Sequence, residues 1–208
     1  MPAATPTDAP SPTLLRRQLR AARRAVPHGL RRRAARSLLR WAARQSWLRP
    51  GRRIGIFLPM PEEIDTAMLA SLARKRGCRL YLPRVTDYRR NRMLFLPATG
   101  PLRRSRFGIL EPCGGQPLRA LQLDVVFVPL VGFDKQGNRL GMGRGFYDRA
   151  LAAGLRQQGL RAPLRLGVAF DCQRVDCLPA LPHDVPLHAV LTPAGLQRFP
   201  SRKPFREP

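Results

Sequence analysis

The stretch Asp124-Val125-Val126-Phe127-Val128-Pro129-Leu130-Val131 constrains the fold of this chain more than any other. Its β-branched and aromatic residues make it the strongest strand of the sequence. A glycine-rich loop over residues 137–145 follows it, and then a helix over residues 147–158. A second apolar run, residues 53–58, is short and bounded by Gly and Pro, the pattern of a parallel strand buried on both faces. Further strands are expected at residues 79–82, 93–96, 164–170 and 189–191. Helical spacing marks residues 15–26 and 30–45, the latter with Leu30, Ala34, Leu38, Trp41 and Ala42 on one stripe. Residues 66–76 form a helix with Asp65 or Thr66 as its N-cap and Gly77 as its stop, residues 98–119 a loop, and residues 193–199 a last short helix. Alternating strands and helices specify an α/β fold: a single three-layer domain, Rossmann-like, whose mostly parallel twisted sheet carries helices on both faces behind an N-terminal helical pair. The domain spans residues 13–197, and residues 1–12 and 198–208 are expected to be disordered tails.

Composition removes several classes. The chain has 208 residues, enough for one domain with a real core. It has no apolar run long enough for a membrane span and no secretory h-region at its start. Cys78, Cys113, Cys172 and Cys177 form no C-x-x-C pair, so idle thiols in a reducing cytoplasm are expected. The net charge of +25 suggests an anionic partner, yet only three of the 38 basic residues are lysine. Such a tilt reads as compositional drift. Residues 1–50 hold twelve arginines against Asp8 alone, so the excess is concentrated without being confined there. The Arg31-Arg32-Arg33 run reads as a solvated face, Trp41 and Trp47 as core anchors, and His183 and His188 as ordinary loop histidines.

The loop Arg139-Leu140-Gly141-Met142-Gly143-Arg144-Gly145 carries the chemistry. Its alternate glycines free the backbone to approach a ligand, and successive N–H groups in such a loop can converge on an anion. Arg139 and Arg144 bring bidentate donors. Asp148, in the first turn of the following helix, is where a carboxylate could hold Mg²⁺ beside a bound polyphosphate. Neither the G-x-x-x-x-G-K-[ST] nor the G-x-G-x-x-G phosphate motif occurs. The alternative is a plain glycine-rich turn.

Asn138-Arg139-Leu140-Gly141-Met142-Gly143-Arg144-Gly145-Phe146-Tyr147-Asp148-Arg149 closely resembles the signature of the 5-formyltetrahydrofolate cyclo-ligase family. In the family's order stand also Leu58-Pro59-Met60-Pro61-Glu62-Glu63-Ile64-Asp65-Thr66, Phe107-Gly108-Ile109-Leu110-Glu111-Pro112, Phe170-Asp171-Cys172-Gln173 and Pro182-His183-Asp184-Val185-Pro186. The resemblance implies a cytoplasmic enzyme converting 5-formyltetrahydrofolate, mono- or polyglutamylated, into 5,10-methenyltetrahydrofolate, with ATP as co-substrate and Mg²⁺ as metal. It implies no obligate protein partner and no membrane. On its pattern ATP meets Arg16, Arg17, Arg20 and residues 139–147 (Arg139, Leu140, Gly141, Met142, Gly143, Arg144, Gly145, Phe146, Tyr147). Folate meets Leu58, Met60, Glu63 and the loop from Met142 through Gly143, Arg144 and Gly145 to Phe146. Arg139, Arg144 and Tyr147 are the catalytic candidates, and Asp148 and Asp184 the metal carboxylates. Two departures stand out. Pro12 and Thr13 occupy the region of the family's N-terminal Lys, so either Arg17 or Arg20 substitutes or ATP binding is weakened. Phe146 stands where the family has a Tyr and keeps only the aromatic face. Glu62 and Glu63 have an alternative as solvated acids before a helix, and Asp184 as a turn cap. The competing function is a basic nucleic-acid-binding protein that keeps the fold without catalysis, although no RRM, KH or zinc motif is present.

Overall fold

The computed structural model describes residues 11–105, 108–152 and 162–200. Along them run α1 (Pro12–Arg24), α2 (His28–Ala43), β1 (Arg53–Gly55), α3 (Ala67–Lys75), β2 (Arg79–Asp87), β3 (Arg92–Pro97), β4 (Leu102–Arg104) and β5 (Leu110–Pro112). Then follow β6 (Val125–Pro129), β7 (Gly132–Phe133), β8 (Arg139–Leu140), α4 (Phe146–Leu151), β9 (Leu164–Val168), β10 (Ala189–Thr192) and β11 (Gly195–Arg198). Among the described residues, seven strands form one sheet in the order β11-β10-β9-β6-β1-β2-β3. The five inner strands are parallel, and the edge strands β3 and β11 are antiparallel to their neighbours. Two small hairpins, β4–β5 and β7–β8, stand apart from the sheet.

β6 is central because no residue on it can face water without cost. Val125 and Phe127 bury against the α2–α3 side, where Trp47 meets Phe127 edge to face at 5.4 Å. Val126 and Val128 bury on the opposite side with Phe95 and Leu151 of α4. Each such side chain contributes roughly 1.5–3 kcal/mol of burial free energy. On the second face small residues let neighbours close in. A Cβ on Gly55 would come within 2.8 Å of Leu123, and one on Gly167 within 2.7 Å of Leu130.

The structure corrects several sequence expectations. Residues 193–199 do not form a helix. Pro193 and Ala194 turn the chain, and β11 pairs antiparallel with β10 from Thr192↔Gly195 to Ala189↔Arg198. An exposed β10 edge offers a row of unpaired backbone groups, and seven residues are too few for a self-supporting helix. β2 and β3 form a hairpin, since the turn between Asp87 and Arg92 is too short for a parallel crossover. Asp87 closes that turn by accepting from the amides of Arg89 (2.8 Å) and Arg90 (2.9 Å). The expected loop 98–119 contains the β4–β5 hairpin. Of the helix expected over residues 147–158, the described part is α4, and residues 153–158 lie outside the described residues.

The N-terminal pair forms as expected. Ser11 caps α1 by accepting from the Leu14 amide at 3.2 Å, with Pro12 at the first helical position. Pro12, Arg198 and Phe199, assigned to tails from sequence, thus lie in or beside regular structure, and Phe199 is buried. Residues 1–10 and 201–208, the rest of those tails, lie outside the described residues. Arg31 is no solvated residue. Its guanidinium donates to the carbonyls of Arg23 (2.6 Å), Arg24 (3.2 Å) and Val26 (2.9 Å), stacks over Phe170, and so satisfies the open end of α1. His188, expected as an ordinary loop histidine, sits against β9 with Nδ1 accepting from the Arg165 amide at 2.9 Å. Among the described residues no helix is long and apolar enough to cross a membrane, and all four cysteines are unpaired.

Candidate active site

Asp134 builds the approach to the glycine-rich loop. It is fully buried and accepts from the amides of Gln136 (2.9 Å), Asn138 (2.9 Å) and Leu178 (3.1 Å) and from the Asn138 side chain (2.8 Å). These donors satisfy the buried charge and close the turn between β7 and β8. The chain then passes through Gly143 at φ 93° and Gly145 at φ 66°, left-handed positions that strain any side chain. Arg16 braces this loop from α1: its Nε donates to the Gly141 carbonyl at 2.9 Å, and its guanidinium lies against Gly143.

The loop lines a cleft of about 440 Å³ beyond the carboxyl ends of β1 and β6. From β1 the sheet grows one way to β2, and from β6 the other way to β9. The cleft therefore lies at the switch point where open α/β sheets bind ligands. Its walls are apolar, with Leu58 following β1, Pro129 and Leu130 at the end of β6, and Leu82 and Met93 behind. Leu58, Ile109, Leu110 and Met142 keep between 37% and 50% exposure at this one place, as a ligand surface does and a finished core does not. Tyr88 and Phe146 meet edge to face at 6.3 Å across one end.

The other end is polar. Arg23 of α1 is 1% exposed, and its guanidinium donates to Glu62 (3.1 Å), Glu63 (3.3 Å) and the Leu130 carbonyl (3.4 Å). Arg20 adds a second donor to Glu62 at 3.2 Å. The remaining Glu63 oxygen accepts from the Met60 amide at 3.0 Å. Burial pushes the Glu63 carboxyl up, with the Glu62 charge adding to it, and the Met60 amide and Arg23 only partly oppose this. Burial acts on Glu62 as well, but its hydrogen bonds and the two arginines hold it below the ordinary value. Tyr147 lines the same end, and its hydroxyl is buried with no hydrogen-bond partner among the described residues. Burial drives its pKa up, and the nearby Glu63 charge drives it further, so the phenol stays a donor.

Arg139 and Asp148 form the third feature. Arg139 donates through Nη2 to Asp148 at 2.5 Å and through Nη1 to the Val185 carbonyl, and the Val185 amide donates to the same Asp148 oxygen at 3.0 Å. One carboxylate thus ties the first turn of α4 to β8 and to the segment after Asp184. Burial lowers the Arg139 pKa, while Asp148 and then Asp184 raise it back by their charges. Asp184 turns Oδ2 to the Leu181 amide at 2.8 Å. Each aspartate keeps one oxygen outside these bonds, a donor set suited to Mg²⁺, which takes one or two carboxylates beside phosphate oxygens and water. Among the described residues no cluster of three or more metal-ligating side chains occurs, so a metal here would need ligand oxygens from a bound substrate.

Most residues singled out from sequence meet in this cleft: Leu58, Met60, Glu63, Arg139, Gly141, Met142, Arg144, Gly145, Phe146, Tyr147 and Asp148 all line it. Gly143 lies in the same loop beneath Arg16. The Leu140 side chain instead enters a core cluster with Leu15, Leu19, Val131 and Leu178. Arg20 is turned to Glu62, and Arg17 stays exposed on α1. Phe107 lies outside the described residues. Sequence reading missed Arg23 and Asp134. Arg23 could have been found, because it continues the Arg16 and Arg20 stripe at helical spacing toward the paired acids. Tyr88 carried no local signal, since only the β2–β3 hairpin brings it to the cleft.

A model of the 5-formyltetrahydrofolate cyclo-ligase family matches residues 9–193. The chain is 38% identical over 148 residues to the 5-formyltetrahydrofolate cyclo-ligase of Haemophilus influenzae, covering 69% of this chain and 76% of that protein. It is 39% identical over 145 residues to that of Escherichia coli, covering 68% and 78%. The solution structure of Aquifex aeolicus 5,10-methenyltetrahydrofolate synthetase superposes with a TM-score of 0.76 at 26% identity, covering 94% of this chain and 96% of that one. The Mycoplasma pneumoniae synthetase shares the fold, with a TM-score of 0.69 at 22% identity over 88% of this chain and 99% of that one.

Proposed function

The chain belongs to the 5-formyltetrahydrofolate cyclo-ligase family, and we propose that it couples ATP hydrolysis to closure of 5-formyltetrahydrofolate into 5,10-methenyltetrahydrofolate at the cleft between β1, β6 and the glycine-rich loop. The observation that carries this reading is an apolar cleft whose polar end holds Glu63 and Tyr147 and whose rim is a glycine loop braced by arginine.

The pterin lies between Leu58, Met60 and the loop residues Met142 to Phe146, its polar edge facing the free valences of Glu63 and the Tyr147 hydroxyl. Phe146 offers its ring face. The polyphosphate runs along the backbone amides of residues 141–145 toward Arg16 and Arg144, and Arg17 is close enough in sequence to join them. The formyl oxygen attacks the γ-phosphorus, ADP departs, and the formyl carbon is left bonded to a phosphorylated oxygen. N10 attacks that carbon and gives up its proton, and the C–O bond breaks as phosphate leaves with the former formyl oxygen. No protein nucleophile is required. The residues align two substrates and offset charge on the transferring phosphoryl group. Asp148 and Asp184 would hold Mg²⁺, which supplies charge neutralisation at the phosphates. Arg139 acts through Asp148, fixing its orientation.

The test follows the methenyl chromophore by absorbance with 5-formyltetrahydrofolate, ATP and Mg²⁺. Product is expected to require both ATP and the divalent metal. Asp148→Asn, which keeps an acceptor for Arg139 but leaves its buried charge uncompensated, is expected to lower turnover by about 10²-fold in protein that is still folded at the assay temperature, and to lower the midpoint of thermal unfolding as well. Wild-type product formed without ATP, or without any divalent metal, sinks the reading.

A further inference from the structure

The outer face of α2 is a row of arginines. With about 100° between successive helical residues, Arg32, Arg33, Arg36 and Arg40 fall, together with Arg44 at the C-cap, within an arc of about 120°. All five are exposed. The buried residues Ala34, Leu38 and Ala42 occupy the opposite side and join the core shared with α3. Arg32, Arg36, Arg40 and Arg44 stand four residues apart, with about 6 Å of rise between neighbours, so like charges meet at every turn. Such pairs destabilise a helix. A solvated helix face relieves this with acids of opposite sign, but residues 11–61 contain no carboxylate. Among the described residues no acid pairs with these arginines, and Glu62 and Glu63, the next acids along the chain, are held by Arg20 and Arg23. Arg40 donates to the Ser37 hydroxyl at 2.9 Å and Arg44 lies over Trp41, contacts that leave both charges in place. None of these residues lines the cleft.

We propose that this face of α2 binds the phosphate backbone of double-stranded nucleic acid without reading its bases. A duplex carries one negative charge about every 1.7 Å along its axis, so a straight row of guanidiniums meets phosphates in any register. Each planar guanidinium grips two phosphate oxygens at once. Other anionic surfaces fit the face less well. A helix that lies on an acidic membrane carries large apolar side chains beside its basic ones. Within α2 this arc holds only Gly29 and Ala43 besides arginine, and the exposed Leu30 falls outside it. A single strand is held by aromatic platforms, and the arc has none. Because the face takes no part in the cleft, duplex binding is independent of the reaction assigned there.

The experiment follows fluorescence anisotropy of labelled DNA and RNA duplexes of about 20 base pairs through a NaCl series, with the full chain. The two duplexes share the phosphate chemistry, and a preference for one names the source. Wild type is compared with Arg32→Ala/Arg36→Ala/Arg40→Ala and with Arg89→Ala/Arg92→Ala/Arg174→Ala, which removes the same charge from exposed positions elsewhere. The α2 variant is expected to bind about 10²-fold more weakly near 0.1 M salt, with the slope of log K against log salt reduced by about 2–3. The control should change affinity by no more than about threefold, because its charges are screened from the bound duplex. Alanine is the best helix former and the substitutions remove repulsion. The α2 variant should therefore unfold thermally at or above the wild-type midpoint, which separates a lost contact from a lost fold. Equal losses in the two variants would mean that net charge alone holds the duplex, and would overturn the proposal. So would a wild type that binds neither duplex, or one that binds the single strand or phosphatidylcholine–phosphatidylserine vesicles more tightly.

Discussion

Arg23 shows how one residue can hold two parts of a site. Its guanidinium is buried against Glu62, Glu63 and a backbone carbonyl, so the three charged groups depend on one another. Replacing both charges of such a cluster with apolar groups costs little, whereas removing one partner strands the others. Arg23→Ala is therefore expected to destabilise the protein by about 3 kcal/mol in urea unfolding, with the KM for folate rising because Glu63 loses its orientation. Arg23→Met combined with Glu62→Gln and Glu63→Gln should recover much of the stability and none of the affinity. His188 gives a pH prediction. Its Nδ1 accepts the Arg165 amide, and burial, with the Arg165 charge adding, lowers its pKa from 6.5 to about 3. Between those values the unfolded chain binds a proton that the folded chain refuses. This contribution to stability is present above the ordinary imidazole value and is lost as pH falls toward 3. Unfolding free energy is expected to fall by up to about 1.4 kcal/mol per pH unit below that value. His188→Asn, which keeps an acceptor for the amide and cannot take the proton, should flatten the slope between pH 7 and 5.

Among the elements, α1 links the glycine-rich loop to the Glu62–Glu63 end of the cleft. Arg16 touches the glycine loop, Arg20 and Arg23 hold the paired acids, and Leu15 and Leu19 fasten the helix to Val131, Leu140 and Leu178. That cluster is small and separate from the two main cores, so α1 is held by little apolar area of its own. Leu19→Ala is expected to cost about 2–3 kcal/mol and to speed amide exchange in α1 well before α2. KM should rise for both ATP and folate, since one helix positions both sides. A change confined to ATP would mean that α1 braces the loop alone. The β10–β11 hairpin makes the complementary point. Pro193-Ala194-Gly195 carries helix and turn signals together, and the vacant edge of β10 decides between them.

Over the whole molecule, a net charge of +25 in 208 residues makes the folded chain repel itself. Raising NaCl from about 10 mM to about 0.2 M shortens the screening length several-fold. The midpoint of thermal unfolding is therefore expected to rise by a few degrees in a calorimetric scan. A flat or falling midpoint would mean that the Arg20, Arg23, Glu62 and Glu63 cluster outweighs the surface repulsion. Local pattern determined a good deal of this protein: the buried strand at residues 125–129, the helical pair, the alternation that makes a parallel sheet, and the glycine loop leading into a helix with Asp148. Those features are readable because apolar period and turn chemistry are properties of neighbours in the chain. Tertiary structure alone decided the two antiparallel edges, the burial of Arg23, the half-burial of His188, the turning of Arg20 to Glu62, and the meeting of Tyr88 with Phe146. Each of these depends on which distant segment takes up an unpaired backbone edge or an uncompensated charge. That choice is made by hydrogen bonding and desolvation across the fold, and no window of adjacent residues contains it.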